Sequence, residues 1–142
     1  MVTYTLQGFV DVARRRAKEA QVMLGVPKKF CDGAVTCGLL AAECALKAAL
    51  LWGHQANTVD SLDLAIQEGA FHGKAGHNLA ALWSLIPTKV KGQGAPSDAV
   101  SSLNGRDRYR HRYGETRPYK KDAQKILEDV EKIVDWMGKV TK

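Results

Sequence analysis

Apolar residues recur at intervals of three and four along most of the chain, which is the spacing of one face of an α-helix. The first run extends from about Thr5 to Leu24, and Gly25 follows where a helix is expected to stop. A second run begins after Pro27, which can open a helix, and continues to about Trp52. Its stripe consists of small side chains, so this helix is predicted to lie at the centre of a bundle, close to its neighbours.

Two short helices are predicted in the middle of the chain. One covers about 59–69, with Asp60 or Ser61 as its N-terminal cap. The other carries apolar positions over 79–86, and His77 is expected to cap or position it. Within the second predicted helix of the chain, glutamate and lysine at 43 and 47 stand in the favourable order for an intrahelical ion pair.

The stretch 87–96 is rich in glycine and lysine and is predicted to be a loop. It does not have the pattern of a phosphate-binding loop, because it lacks the Gly-Lys-Ser/Thr ending and follows no predicted strand. Ser97 or Asp98 restarts a helix, which we expect to run through Leu103 into an arginine-rich segment until Gly114 breaks it.

The last periodic run covers about 123–137, after Pro118. No alternating run of β-branched residues is long enough to predict a strand. The pattern therefore indicates an all-α protein, an up-and-down bundle of about five or six helices. With 142 residues, 45% of them apolar and 25% charged, the chain is predicted to form one domain over 1–142. Three tryptophans lie on apolar faces and are expected in the core or an interface: Trp52, Trp83 and Trp136.

Several features predict a cytoplasmic protein without a membrane partner. The longest apolar stretch, around 45–52, is shorter than the roughly 18 residues of a membrane span, and no signal-peptide pattern opens the chain. The three cysteines, Cys31, Cys37 and Cys44, are odd in number and lack the spacing of a metal site or a disulfide framework, so we expect reduced, buried thiols. No metal and no cofactor is predicted.

Positive charge is concentrated in the segment 106–121, which reads RDRYRHRYGETRPYKK. Seven basic against two acidic residues leave +5 here, out of a net charge of +6. Guanidinium groups bind phosphate bidentately and tyrosine rings stack on unpaired bases, so contacts with RNA or nucleotide are predicted. Pairing of these arginines with acids of other helices or of a second subunit is the alternative. The candidate nucleic-acid-binding residues are Arg108, Tyr109, Arg110, Arg112, Arg117, Lys120 and Lys121.

A histidine and an arginine in this segment suggest a catalytic role. His111 can transfer a proton near neutral pH, and Arg106 can stabilise the charge that develops on a phosphorane. With the 2′-hydroxyl of RNA as nucleophile, these two groups could cleave RNA without a metal. On a regular helix they would lie roughly 140° apart, so they could converge only through side-chain length, helix distortion or contributions from two subunits.

Four stretches, in order, resemble the HEPN family of helical domains. They cover nearly the whole chain, and the resemblance implies an all-helical, HEPN-like bundle that usually forms a homodimer. Ala41 to Ala48 matches the family's typical core, and Asn78 replaces an acid that is usual there. The stretches are VARRRAKEAQVML, CDGAVTCGLLAAECALKAALLWG, GHNLAALWSL and RYRHRYGETRPYKKDAQKILEDVEKIVDWM.

Many HEPN proteins are RNases that carry Arg, a polar residue, three further residues and His. Here RDRYRH matches, so the resemblance implies Arg106 and His111 as catalytic residues and Asp107 as the residue that orients the arginine. In toxins paired with a minimal nucleotidyltransferase antitoxin, a tyrosine two positions after the histidine is nucleotidylated, and Tyr113 matches it. The resemblance thus implies a metal-independent RNA endonuclease of toxin or defence type, with a nucleotidyltransferase antitoxin as partner.

A second register of the same resemblance gives a different function. Many small HEPN proteins lack the nuclease motif and carry Arg-Tyr-Pro just before the last helix, and Arg112-Tyr113-Gly114 matches that element with Gly in place of Pro. In this register Arg112 and Tyr113 are structural. The chain would then be a non-catalytic HEPN module that binds nucleotide or nucleic acid, or that docks to a nucleotidyltransferase partner.

Overall fold

The computed structural model describes residues 4–25, 31–71, 78–92, 94–104 and 120–142. Within these ranges the chain forms six α-helices and one turn of 3₁₀-helix, and it contains no strand. The prediction of an all-α helical bundle is therefore confirmed. The helices are α1 (Leu6–Gly25), α2 (Cys31–Gly53), α3 (Leu64–Ala70), α4 (Leu79–Leu85), α5 (Ser97–Leu103) and α6 (Lys120–Val140), with the 3₁₀ turn at Val59–Ser61.

Helix α2 lies at the centre, as its small-residue stripe predicts. It packs against α1, α4 and α6, and Ala34, Ala41 and Ala48 on its stripe are fully buried. Over 33–53 the helix is long and apolar enough to cross a membrane by length and composition, which the short apolar stretch around 45–52 did not indicate. Because 83% of its apolar window is buried inside the bundle, it has the burial of a core helix.

The approach of α2 to α6 depends on a glycine. A Cβ atom at Gly38 would overlap with the Cδ2 atom of Leu127 on α6, so the absence of a side chain lets the two helices pack closely. Helix α6 has the amphipathic pattern that was predicted, and its apolar positions are buried. These positions are Ala123, Ile126, Leu127, Val130, Ile133 and Met137.

The predicted helix over 59–69 is wrong in its first half. Asp60 and Ser61 lie in the 3₁₀ turn and do not cap an α-helix. Leu62 then adopts an extended backbone, with φ −82° and ψ 156°, and its side chain is buried. Burial of Leu62 in the core requires this break, and α3 starts only after Asp63. The local periodicity of the sequence does not show that Leu62 has to reach the core in this way.

Helix α4 and the start of α5 at Ser97 agree with the prediction, whereas the cap of α4 and the end of α5 differ from it. Asn78 caps α4, because its side-chain oxygen accepts a hydrogen bond from the Ala81 amide at 3.1 Å, whereas His77 lies outside the described residues. Helix α5 ends at Leu103, so the predicted continuation into the arginine-rich segment is wrong. Asn104 turns extended, and its side-chain oxygen accepts from the Ala80 amide at 3.3 Å, which ties the end of α5 to the start of α4.

Candidate nucleic-acid interface

Most of the residues predicted to bind or cleave RNA lie outside the described part of the chain. Lys121 stands in the first turn of α6 and is exposed, and Lys120 is the first residue of that helix. The predicted residues outside the described ranges are Arg106, Asp107, Arg108, Tyr109, Arg110, His111, Arg112, Tyr113 and Arg117.

The helices that flank the basic segment are both anchored in the core. On the α5 side Leu103 is fully buried, and on the α6 side Ala123 is fully buried. Helix α5 packs against α4 and α6, so the helices on either side of the segment contact each other. Asp122 in the first turn of α6 interacts favourably with the positive end of the helix dipole.

A line of lysines extends from the basic segment along α6. Lys121, Lys125, Lys132 and Lys139 fall within about 40° around the helix axis, and all four are exposed. At about 1.5 Å per residue, the line is roughly 27 Å long. Glu128 and Asp135 share this side of the helix, and the buried Asp129 carboxylate pairs with Lys125 at 3.2 Å and with Lys132 at 3.9 Å. The four lysines are therefore accompanied by three carboxylates, which leaves this surface with a net charge of +1. We call these four lysines the α6 lysine stripe.

The far end of the α6 lysine stripe reaches an open groove. Two adjoining cavities of about 630 and 520 Å³ share Lys89, Val90 and Val140. The first lies at the C-terminal end of α2, and the second lies between the loop after α4 and the last two turns of α6. We call the two together the end groove. Its lining includes Trp52, Lys89, Lys132, Trp136 and Lys139.

The loop that carries Lys89 is held by the end of α2. A Cβ atom at Gly53 would lie 2.6 Å from Pro87 Cδ and 2.9 Å from Val90 Cγ2, so only glycine allows the loop to pack this closely. His54 donates from Nε2 to the Leu85 carbonyl at 3.0 Å, which joins α2 to the end of α4. These contacts fix the floor of the end groove.

The carbonyls at the end of α2 are largely satisfied. Gln55 adopts a left-handed conformation with φ 57°, and the Ala56 amide donates to the Leu51 carbonyl at 2.9 Å. The Gln55 amide donates to the Trp52 carbonyl at 3.0 Å, which completes a Schellman motif. The helix thus ends at Gly53, next to the predicted end at about Trp52, and the left-handed residue that follows is Gln55.

Lysine and tryptophan side chains are combined at this end of the bundle. The Lys91 ammonium lies 5.0 Å from the centroid of the Trp83 ring, a cation–π contact. Trp83 in turn contacts Trp136, with 5.3 Å between ring centroids. Burial lowers the pKa of Lys91 from its ordinary value. Trp136 is buried as predicted, whereas the side chain of Trp52 is 43% exposed at the rim of the groove.

The balance of charge at the end groove is positive. Three exposed lysines, Lys89, Lys132 and Lys139, line the groove with one carboxylate, Asp135, and the Lys132 ammonium also lies 3.9 Å from the Asp129 carboxylate. The C-terminal ends of α2 and α6 add about half a negative charge each. Hydrogen bonds within the Schellman motif and from the Thr141 hydroxyl to the Met137 carbonyl reduce this negative potential. The groove can therefore attract an anion.

A buried ion pair lies in the middle of α2. The predicted Glu43–Lys47 pair is confirmed at 3.1 Å, and both side chains are almost fully buried. The Lys47 ammonium also lies 5.5 Å from the Phe71 ring centroid and 6.0 Å from that of Phe9. These contacts place Lys47 between α1 and the end of α3, where it joins core elements.

The described residues contain no group of three or more His, Cys, Asp or Glu side chains that could hold a metal ion. Among the cysteines, Cys44 is buried and Cys37 is half-buried. Burial raises the pKa of the Cys37 thiol. No protein-family model, no curated protein and no solved structure matches the chain.

The end groove is the feature that sequence reasoning missed. The spacing of the α6 lysine stripe, four, seven and seven residues, is visible in the sequence and could have indicated a basic helix face. Lys89 lines the same cavity as Lys132 and Lys139 of the stripe, and this arrangement depends on how the loop after α4 folds back onto α6. No local pattern encodes that juxtaposition.

Proposed function

We propose that the chain is a HEPN-type helical bundle that cleaves RNA without a metal. The observation that carries the proposal is the RDRYRH match, which stands inside the only concentrated basic segment of the sequence. The all-helical bundle and the line of exposed lysines that continues from Lys121 support it, because they suit a phosphate-binding surface next to the motif.

In the proposed reaction the 2′-hydroxyl of RNA attacks the adjacent phosphorus. His111 accepts the hydroxyl proton, and Arg106, oriented by Asp107, donates hydrogen bonds to the non-bridging oxygens as charge builds on the phosphorane. The bond from phosphorus to the 5′-oxygen breaks, and that oxygen receives a proton from His111. The products are a 2′,3′-cyclic phosphate and a 5′-hydroxyl end.

We further propose a homodimer and a protein antagonist. Two copies would supply two motifs, which relieves the separation that a single regular helix imposes on Arg106 and His111. Tyr113 is the residue that a nucleotidyltransferase antitoxin would modify. The surrounding arginines, with Tyr109, would hold the RNA strand.

A second candidate function is a non-catalytic binding module. It is favoured by the end of α5 at Leu103, because that helix stops before the motif, contrary to the prediction from the sequence. Here Arg112 and Tyr113 are structural residues before α6. The module would bind nucleotide or nucleic acid, or dock to a nucleotidyltransferase.

Analysis of product ends distinguishes the two functions. Wild-type protein is incubated with labelled RNA and with DNA of the same sequence, alongside Lys18→Ala, which removes an exposed charge of α1 and serves as control. We expect cleavage of RNA alone, with cyclic phosphate ends, in both proteins. Cleavage of DNA, or 3′-hydroxyl ends, would contradict the mechanism. A folded protein that binds RNA without cutting it, and that Arg112→Ala unfolds, would establish the second function.

A further inference from the structure

We propose that the end groove is a second binding site for single-stranded RNA, reached by a strand that runs from the basic segment along the α6 lysine stripe. The inference rests on the proposed function only in taking RNA as the ligand. It concerns binding at a distance from Arg106 and His111 and does not require that the chain cleaves RNA.

The first support is continuity. Lys121 belongs both to the basic segment and to the α6 lysine stripe, and Lys132 and Lys139 belong both to the stripe and to the end groove. The path is roughly 27 Å long, which corresponds to about eight nucleotides of a stacked strand at about 3.4 Å each. A strand of that length can therefore contact the segment and the groove together.

The second support is the combination of charge and aromatic surface. Lys89 lines both cavities, with Lys132 and Lys139 on one side and the exposed Trp52 ring on the other. Lysines attract successive phosphates, and an exposed indole gives a face on which a base can stack whatever its identity. An acidic peptide would use the lysines but would gain little from the indole.

The third support is the open shape of the groove. Two cavities of about 630 and 520 Å³ join at Lys89 and Val90, so the groove can admit a continuous chain. Asp135 beside Trp136 disfavours phosphate at one point of the wall. We therefore expect base contacts there and phosphate contacts at the lysines on either side.

Binding of uncleavable RNA tests this inference separately from catalysis. The probes are 2′-O-methyl oligonucleotides of about four and about twelve nucleotides, chosen from the spacing of about 3.4 Å per nucleotide. Affinity is measured by fluorescence anisotropy for wild type, for Lys132→Ala/Lys139→Ala, and for Arg15→Ala/Lys18→Ala. The last variant removes two exposed positive charges from α1 and is the matched control.

We expect the groove variant to weaken binding of the longer oligonucleotide by about tenfold and to leave the shorter one unchanged. Because each phosphate contact of a single strand contributes about 0.7 to the salt slope, the slope for the longer strand should fall by about 1.4. Trp52→Leu should weaken binding of the longer oligonucleotide by about fivefold or more, since the stacking of one base on the indole ring is lost. The control should match wild type.

Several results would overturn the inference. They are equal affinities of the groove variant and the control, equal effects on the short and long strands, or a wild type that binds neither. Displacement of the long oligonucleotide by a polyglutamate peptide, with Trp52→Leu equal to wild type, would assign the groove to an acidic protein. RNA that binds in the groove as expected but is never cleaved would refute the proposed nuclease and leave this inference standing.

Discussion

Replacement of Gly53 by alanine tests how the end groove is built. A Cβ atom at this last residue of α2 would lie 2.6 Å from Pro87 Cδ and 2.9 Å from Val90 Cγ2. Carbon atoms prefer about 3.5–4.0 Å, so both contacts are repulsive. The ring of Pro87 cannot rotate away as a flexible side chain can, and the loop that carries Lys89 has to move.

Two opposing effects set the size of the change. Alanine favours a helix over glycine by at most about 1 kcal/mol, and less at a terminal residue. Overpacking costs about 1–3 kcal/mol, and the half-buried loop can relieve part of it. The net expectation is a loss of about 1–2 kcal/mol in the free energy of unfolding. For a chain of this length, that corresponds to a fall in Tm of about 3–7 °C.

Urea unfolding followed by circular dichroism measures this change. Gly25→Ala is the matched control, because it makes the same replacement at the end of α1, where a Cβ atom meets nothing within 4 Å. We expect the control to be neutral or slightly stabilised and Gly53→Ala to unfold at lower urea. Equal midpoints for the two variants would refute the close packing of the loop on α2.

Three further predictions concern the cap of α4, the Cys37 thiol and the oligomer. Asn78→Ala should lower the free energy of unfolding by about 1 kcal/mol while Asn78→Asp keeps the cap, and equal urea midpoints for the two would contradict this role. Because burial raises the pKa of Cys37 above its ordinary 9.0, its stabilising effect is complete below about pH 9 and is lost as the pH rises through the folded-state pKa. Wild type should therefore lose more stability than Cys37→Ala between about pH 8 and pH 10, and parallel losses would argue against it. Light scattering should give twice the chain mass of 15.5 kDa, whereas a mass near 15.5 kDa at every accessible concentration would exclude the homodimer.

The long helices could be predicted because the local spacing of apolar residues indicates which face of each helix packs against the core. Helix α1 was expected over 5–24 and is found at Leu6–Gly25, and α6 contains the whole predicted stretch 123–137. A pattern of 3.6 residues repeated over five turns leaves little ambiguity. The Glu43–Lys47 pair followed from spacing alone, although its burial did not.

The short helices α4 and α5 start where the sequence predicted, but the ends of the short elements could not all be predicted, because contacts from distant parts of the chain decide where they end. Burial of Leu62 separates the 3₁₀ turn from α3, and the bond from the Ala80 amide to Asn104 accompanies the end of α5. The end groove depends on the packing of Pro87 against Gly53, which no pattern within either segment records. The catalytic assignments to Arg106, Asp107 and His111 remain predictions from the sequence.

Cleavage of RNA in the presence of EDTA tests the proposed nuclease most directly. Initial rates are measured with a labelled single-stranded RNA for the wild type and for His111→Ala, after both have been shown to fold and to have the same oligomeric state. We predict that the wild type cleaves in EDTA and that the substitution lowers the rate by about 10² or more, since it removes the group that transfers the proton. Cleavage that requires a divalent metal, or that proceeds at the wild-type rate in His111→Ala, would contradict the mechanism.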